Sequence, residues 1–84
     1  MEIKDSQVIE LPYGARILCV QEQNNEPFIW CVINISAYTT QERVFELYGT
    51  GHLMKPETFS KRYYIGTFQL YKEQLVYHLF EILK

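Results

Sequence analysis

The side chains with reactive groups in this 84-residue chain are few and lie far apart in the sequence. His52 and His78 fall in different predicted elements, and Asp5 is the sole aspartate. A metal site needs at least three suitable ligands, and no HExxH, CxxC, GxSxG or P-loop pattern occurs. A nucleophile–base pair of Cys31 with His78 is disfavoured because an apolar strand disfavours the thiolate. We therefore predict no enzyme activity, no metal site and no cofactor.

The stretch from Gly49 to His52 (GTGH) is the best candidate for a ligand or partner contact. Two glycines let a backbone approach a ligand closely, and backbone N–H groups in such turns can hold a phosphate. The interpretation that we favour is nevertheless a tight turn that needs positive φ, and the ligand or partner contact is the alternative. The predicted ligand- or partner-binding residues are Gly49, Thr50, Gly51, His52, Lys55, Arg62 and Tyr63.

Aromatic residues supply the second set of candidates. Seven tyrosines are too many for a small core, and an apolar ring with a polar tip is what protein interfaces favour. The predicted interface residues are Trp30, Tyr48, Tyr64 and Tyr77. For Trp30 itself the pattern favours a core position over an exposed stacking platform, and His78 is predicted to bond to Thr67 across a pair of strands.

Short runs rich in Val, Ile, Phe, Tyr and Trp, separated by turn residues, predict strands throughout the chain. The predicted strands cover residues 7–11, 16–23, 28–35, 43–48, 62–71 and 74–83. This spacing is typical of an all-β antiparallel meander of about six strands that forms a small barrel or sandwich. The length leaves room for one domain, residues 1–84.

The first hairpin has apolar side chains on both faces. Asn24 and Asn25 tolerate the positive φ of a type I′ turn. With these two residues as the loop, the register pairs Phe28, Trp30 and Val32 with Gln21, Cys19 and Ile17, and pairs Ile29, Cys31 and Ile33 with Val20, Leu18 and Arg16. The two cysteines then lie on opposite faces, where no disulfide can form.

The last hairpin is predicted from a loop at Lys72-Glu73, with a longer loop as an alternative. Its register places Leu70, Phe68, Tyr64, Leu75, Tyr77 and Leu79 on one face, and Gln69, Thr67, Ile65, Tyr63, Val76, His78, Phe80 and Ile82 on the other. The closing segment also fits a helix with an apolar stripe of Val76, Leu79, Phe80 and Leu83. We favour the strand because Val, Tyr and Phe prefer it.

Charge and composition limit the partners. A net charge of −2 and a pI near 5.6 give no general attraction to nucleic acid. The basic residues Lys55, Lys61 and Arg62 surround Glu57 and fit a solvated loop. No apolar run is long enough to span a bilayer, and the first residues lack the pattern of a signal peptide. We expect a cytoplasmic protein that binds neither nucleic acid nor membrane.

Several motifs together resemble a family of small proteins of tailed bacteriophages and prophages that carries a domain of unknown function. The motifs are LPYGARILCVQ, a tryptophan in the next strand, YGTGH, YIGTFQLY and LVYHLFE, and they extend from about Ile9 to Glu81. The resemblance implies a phage origin, a bacterial host cytoplasm and an all-β fold. It implies no catalytic residues.

The apolar strand FIWCVINI (residues 28–35) needs cover on two faces. A barrel would cover one, and a loop over residues 51–62 with Leu53, Met54 and Phe59 would cover part of the other. We favour a second copy of the chain, and hence a homo-oligomer. We expect a non-catalytic binding protein that neutralises a host defence factor, by blocking a protein or by sequestering a nucleotide-like signal. The alternative is a structural or accessory component of phage assembly or replication.

Overall fold

The chain forms an antiparallel all-β structure, as the sequence predicts. The computed structural model describes residues 1–3, 5–49, 61–71 and 75–83. Its strands are β1 (Ser6–Pro12), β2 (Arg16–Gln23), β3 (Glu26–Val32), β4 (Thr40–Gly49), β5 (Arg62–Leu70) and β6 (Leu75–Ile82). The loop interpretation of residues 51–62 and the predicted turn at Lys72-Glu73 involve positions that lie outside the described residues.

Two sheets pack face to face as a small sandwich. One sheet has four strands in the order β1-β4-β6-β5, and the other is the hairpin β2-β3. The sandwich alternative is therefore confirmed, and the sheets do not close into a barrel. The order of the larger sheet departs from a simple meander, because β4 lies between β1 and β6 and the consecutive strands β4 and β5 both flank β6.

The core lies between the two sheets and follows the period-2 alternation of the strands. Its buried members come from four different strands: Val20, Phe45, Leu47, Phe68, Leu70 and Leu79. Ile17 and Ile29 pack against this cluster from the hairpin. Burial of each such side chain stabilises the fold by about 1.5–3 kcal/mol, so this single layer provides most of the hydrophobic stabilisation.

The turn between β2 and β3 has the predicted geometry. Asn24 and Asn25 have φ values of 51° and 63°, which a type I′ turn requires. The predicted register is confirmed next to the turn, where Val20 pairs with Ile29 and Cys19 pairs with Trp30.

Farther from this turn the predicted register is wrong. A β-bulge at Leu18 pairs Ile17 with Cys31 and Arg16 with Val32. The extra residue moves the rest of β2 by one position, which the turn residues alone do not reveal. Ile17 therefore faces the core instead of lying opposite Val32. Both cysteines are free, as predicted.

The β5–β6 hairpin shows the same behaviour. The predicted register is confirmed from the pair Leu70–Leu75 to the pair Gly66–Leu79. A bulge at Ile65 then shifts Tyr64 to a position opposite Phe80. Tyr64 therefore shares a face with Thr67 and His78, and its predicted place among Phe68 and Leu70 is wrong. Tyr63, which was predicted to share a face with Thr67 and His78, lies on the other face of the sheet, opposite Glu81. The closing segment is strand β6, which excludes the helix alternative.

β2 and β5 pack against each other across the sandwich. A Cβ atom added at Gly66 would lie 3.1 Å from Val20 Cγ1 and 3.8 Å from the Val20 nitrogen. The absence of a side chain at position 66 thus lets the two sheets meet at this corner of the sandwich.

A buried ion pair lies at the other end of the core. Arg43 on β4 forms a two-point contact with Glu81 on β6, through its Nε and through its Nη2 at 2.9 Å. Nη1 of Arg43 donates to the Ala15 carbonyl at 2.7 Å. The hydrogen bond to Glu81 raises the pKa of the Arg43 guanidinium, so this side chain stays charged. Its contacts connect β4 and β6 to the segment between β1 and β2.

Removal of one partner from this ion pair should be strongly destabilising. We expect Glu81→Leu to lower the free energy of unfolding by about 3–5 kcal/mol, since it leaves a buried, uncompensated guanidinium. The double variant Arg43→Met/Glu81→Leu should recover most of the loss, because two apolar side chains can replace a buried pair. Urea unfolding of the three proteins measures both effects. A double variant no more stable than Glu81→Leu would contradict this account.

The β2–β3 turn gives a second prediction. We expect Asn24→Val to lower the melting temperature by about 5–10 °C, because left-handed backbone costs a residue with a branched Cβ about 1–2 kcal/mol. Asn24→Gly is the matched control and should melt close to the wild type, since glycine adopts positive φ freely. Circular dichroism melts compare the three proteins. Equal melting temperatures for the two variants would show that the backbone conformation is unimportant here.

Candidate functional site

The outward side of the β2–β3 hairpin is an exposed apolar surface, which we call the hairpin face. Its apolar side chains are Leu18, Phe28, Trp30 and Val32, with Arg16 and Glu26 at its two ends. The apolar side chains are 53%, 40%, 50% and 54% exposed, respectively. Cys19 and the polar residues Gln21 and Gln23 of β2 share this face, because they pair with Trp30, Phe28 and Glu26. Contiguous exposed apolar surface of this kind marks a contact site.

The position of Trp30 corrects the prediction that it belongs to the core. Ile29 and Cys31 alternate with Trp30 along β3 and are more buried, and Ile29 packs against the core cluster. The four-stranded sheet packs against one face of the hairpin and therefore covers only that face. Trp30 therefore lies on the solvent side, and its interface role stays a prediction.

The outer side of the four-stranded sheet carries a second group, which we call the tyrosine cluster: Glu46, Tyr48, Arg62, Tyr64, Thr67, His78 and Phe80. Glu46 Oε1 accepts from the Tyr48 hydroxyl at 2.8 Å and from Arg62 Nε at 2.7 Å. The Arg62 guanidinium lies 6.0 Å from the centre of the Tyr48 ring. Because β4 and β5 both flank β6, Arg62 must reach across β6 to make these contacts.

The other half of the cluster is a chain of hydroxyl and imidazole groups. Thr67 Oγ1 lies 2.9 Å from His78 Nδ1 and forms a second hydrogen bond with the Tyr64 hydroxyl. The predicted cross-strand bond between Thr67 and His78 is thus confirmed. The Tyr64 contact arises only because the bulge at Ile65 turns Tyr64 to this side of the sheet.

Phe80 joins the two halves. Its ring lies 5.7 Å from Tyr48 in an edge-to-face arrangement and 5.5 Å from the tilted ring of Tyr64. Such pairs contribute about 0.5–1.5 kcal/mol beyond the burial of their area. Phe80 is buried while Tyr64 is 53% exposed, so the cluster has a rigid centre and an accessible rim.

Electrostatics reinforce this arrangement. Burial raises the pKa of the Tyr48 hydroxyl, and its hydrogen bond to Glu46 raises it further. The hydrogen bond from Arg62 to Glu46 raises the pKa of the Arg62 guanidinium. The cluster therefore favours a neutral Tyr48 phenol beside the ion pair of Arg62 with Glu46.

The structure brings together some of the predicted site residues and separates others. Gly49 ends β4 beside the cluster, where it pairs with Tyr77, and Arg62, Tyr48 and Tyr64 lie within the cluster. Tyr63 is exposed on the opposite side of the sheet. The predicted residues Thr50, Gly51, His52 and Lys55 lie outside the described residues.

Tyr77 and Glu46 show two further differences from the sequence-based expectation. Tyr77 is partly buried, packs against the core cluster and stacks on Phe68 at 5.7 Å, so its ring has a packing role. Glu46 was not predicted, although it accepts two of the hydrogen bonds that order the cluster. The i, i+2 spacing of Glu46 and Tyr48 on one strand is the signal that places them on one face.

The described part of the chain contains no group of three or more His, Cys, Asp or Glu side chains that could hold a metal ion. None of its elements is a helix long and apolar enough to cross a membrane.

The position of Tyr48 predicts a late tyrosine titration. The folded chain favours the neutral phenol, so Tyr48 should ionise above its ordinary value of 10.0. The stability that it contributes is present below pH 10 and is lost as pH rises through the higher folded pKa. Ultraviolet titration of the phenolate band should show a late component that Tyr48→Phe removes. The control is Tyr38→Phe, which alters a ring that is 99% exposed, and this variant should keep the late component of the titration. A late component that remains in Tyr48→Phe would contradict the assignment.

Comparisons with known proteins give one family relation. Comparison with curated proteins and with solved structures gave no match. A family model described as Domain of unknown function (DUF7352) matches residues 1–83, which include every strand of both sheets. The chain therefore belongs to the DUF7352 family.

Proposed function

We propose that this chain is a non-catalytic, phage-encoded binding protein that neutralises a factor of its bacterial host by blocking a protein. The observation that carries the proposal is the tyrosine cluster, with an exposed Tyr64 fixed to Thr67 and an Arg62 fixed to Glu46 and Tyr48. Tyrosine and arginine are enriched among the residues that dominate binding energy at protein interfaces. Side chains that are already ordered lose less entropy on binding.

The pairing of Arg62 favours a protein over a nucleotide-like signal as the target. Arg62 Nε lies 2.7 Å from the Glu46 carboxylate, and this neighbouring negative charge disfavours a phosphate. An apolar cleft of about 230 Å³ between β1 and β3 is another candidate ligand site. It is smaller than the roughly 300–1,000 Å³ of typical small-molecule sites, and its lining is apolar: Met1, Ile9, Leu11, Phe28, Ile29 and Cys31.

Phage origin and host location form part of the proposal. They are supported by the motifs LPYGARILCVQ, YGTGH and LVYHLFE, whose combination resembles small phage and prophage proteins. A protein made during infection meets host defence factors in the bacterial cytoplasm, so a host protein is a reasonable target for a surface without catalytic groups.

A second function is favoured by the hairpin face. A structural or accessory component of phage assembly or replication would dock an apolar β surface onto a larger complex, and Trp30 with Phe28 would suit that contact. This alternative predicts that the partner is another phage protein.

Capture experiments on the tyrosine cluster test the main proposal. Immobilised wild-type protein should retain a host protein from a lysate of uninfected bacteria, and Tyr64→Ala should reduce retention about tenfold or more, as expected for an interface anchor. Tyr38→Ala is the matched control, because its ring is almost fully exposed and outside the cluster. Thermal melts establish that both variants are folded.

A defence assay gives the second measurement. Expression of the wild type in a bacterium that carries a defence system should restore plaque formation by a sensitive phage, and Tyr64→Ala should abolish the restoration. Retention of a partner only from infected lysates would support the assembly alternative. Equal capture by wild type and Tyr64→Ala would exclude the tyrosine cluster as the binding surface.

A further inference from the structure

The hairpin face is on the other sheet from the tyrosine cluster, so its use is a separate question. Its four apolar side chains expose about 400 Å² in total, given that a fully exposed aromatic side chain presents about 150–250 Å². This area is comparable with the largest apolar patch of a typical monomer, which is often a functional surface. The aromatic pair Phe28 and Trp30 lies near its middle.

Charge is distributed along this face in a self-complementary way. Side chains of one strand alternate between faces, so Glu26 shares the face of Phe28, Trp30 and Val32. Arg16 pairs with Val32 at the opposite end. Six residues separate the ends of β3, which is about 20 Å along a strand. Neither Arg16 nor Glu26 forms an ion pair with another described residue.

We infer that the hairpin face binds the hairpin face of a second copy of the chain, as a two-fold symmetric dimer. The two-fold axis lies between the facing hairpins and perpendicular to their strands, so the strands of the two copies run in opposite directions. Glu26 of each copy then meets Arg16 of the partner subunit. The apolar centre is covered by its own equivalent, as an isologous interface requires.

The area agrees with a small but specific interface. Two apolar patches of about 400 Å² and the polar ends that surround them approach the lower limit of about 1,200 Å² for stable complexes. Face-to-face sheets pack about 10 Å apart with strands near −30°, an arrangement in which Trp30 fits beside its symmetry equivalent. A parallel arrangement would bring Glu26 against Glu26, which like-charge repulsion disfavours.

Sedimentation velocity of the full chain tests the dimer. The measurements should cover about 1 µM to about 300 µM, a range that suits an interface of this size. The wild type should change from monomer to dimer with increasing concentration, and Trp30→Ala should weaken the dimer about thirtyfold or more. Val8→Ala, an exposed strand residue on the other sheet, is the control and should leave the dimer unchanged. A wild type that stays monomeric, or a dimer that tolerates Trp30→Ala, would overturn the inference.

Charge reversal tests the orientation. Glu26→Arg and Arg16→Glu should each weaken the dimer about tenfold at low salt, because each places like charges together at both ends of the interface. The double variant should restore wild-type affinity to within about threefold. The two positions are too far apart in one chain to compensate each other, so rescue requires the antiparallel dimer. Failure of the double variant to recover would overturn this arrangement.

Discussion

The described strands enclose one interior, formed where a two-stranded hairpin covers one side of a four-stranded sheet, and this limit decides which of their side chains are buried. Two sheets have four faces, and only two of them meet. The core cluster fills the space between them, and the ion pair of Arg43 with Glu81 closes one end of it. Apolar and aromatic side chains that exceed this space must lie outside. Phe28 and Trp30 are such side chains.

The two outer surfaces differ in chemistry, and this difference supports two different uses. The hairpin face is apolar and carries opposite charges at its ends, so it matches a copy of itself. The tyrosine cluster has ordered hydroxyl, imidazole and guanidinium groups around Phe80, so it suits a partner with a polar surface. A dimer formed through the hairpins would leave both tyrosine clusters on its outside, and a bivalent protein of this kind gains avidity toward an oligomeric target.

Features that depend on neighbouring residues were predicted correctly from the sequence, and features that depend on distant parts of the chain were not. Asn24 and Asn25 determine their turn locally, so the strands beside it and their first pairs were predictable. The bulges at Leu18 and Ile65 have no such local turn signal, so the faces of Ile17 and Tyr64 were predicted wrongly. The tyrosine cluster was predicted in part: Arg62, Tyr48 and Tyr64 were named. The spacing of Glu46 and Tyr48 places both on one face, but the contact of Glu46 with Arg62 requires knowledge that β4 and β5 both flank β6.

The close approach of Gly66 to Val20 also constrains how this family can vary. A Cβ atom at position 66 would lie 3.1 Å from Val20 Cγ1, so a relative with alanine there needs a smaller residue at position 20 or a shift of this neighbour by a few tenths of an ångström. Evolution at these two sites should therefore be coupled. An alignment of the family in which positions 20 and 66 change together would identify this contact between the two sheets from sequence alone.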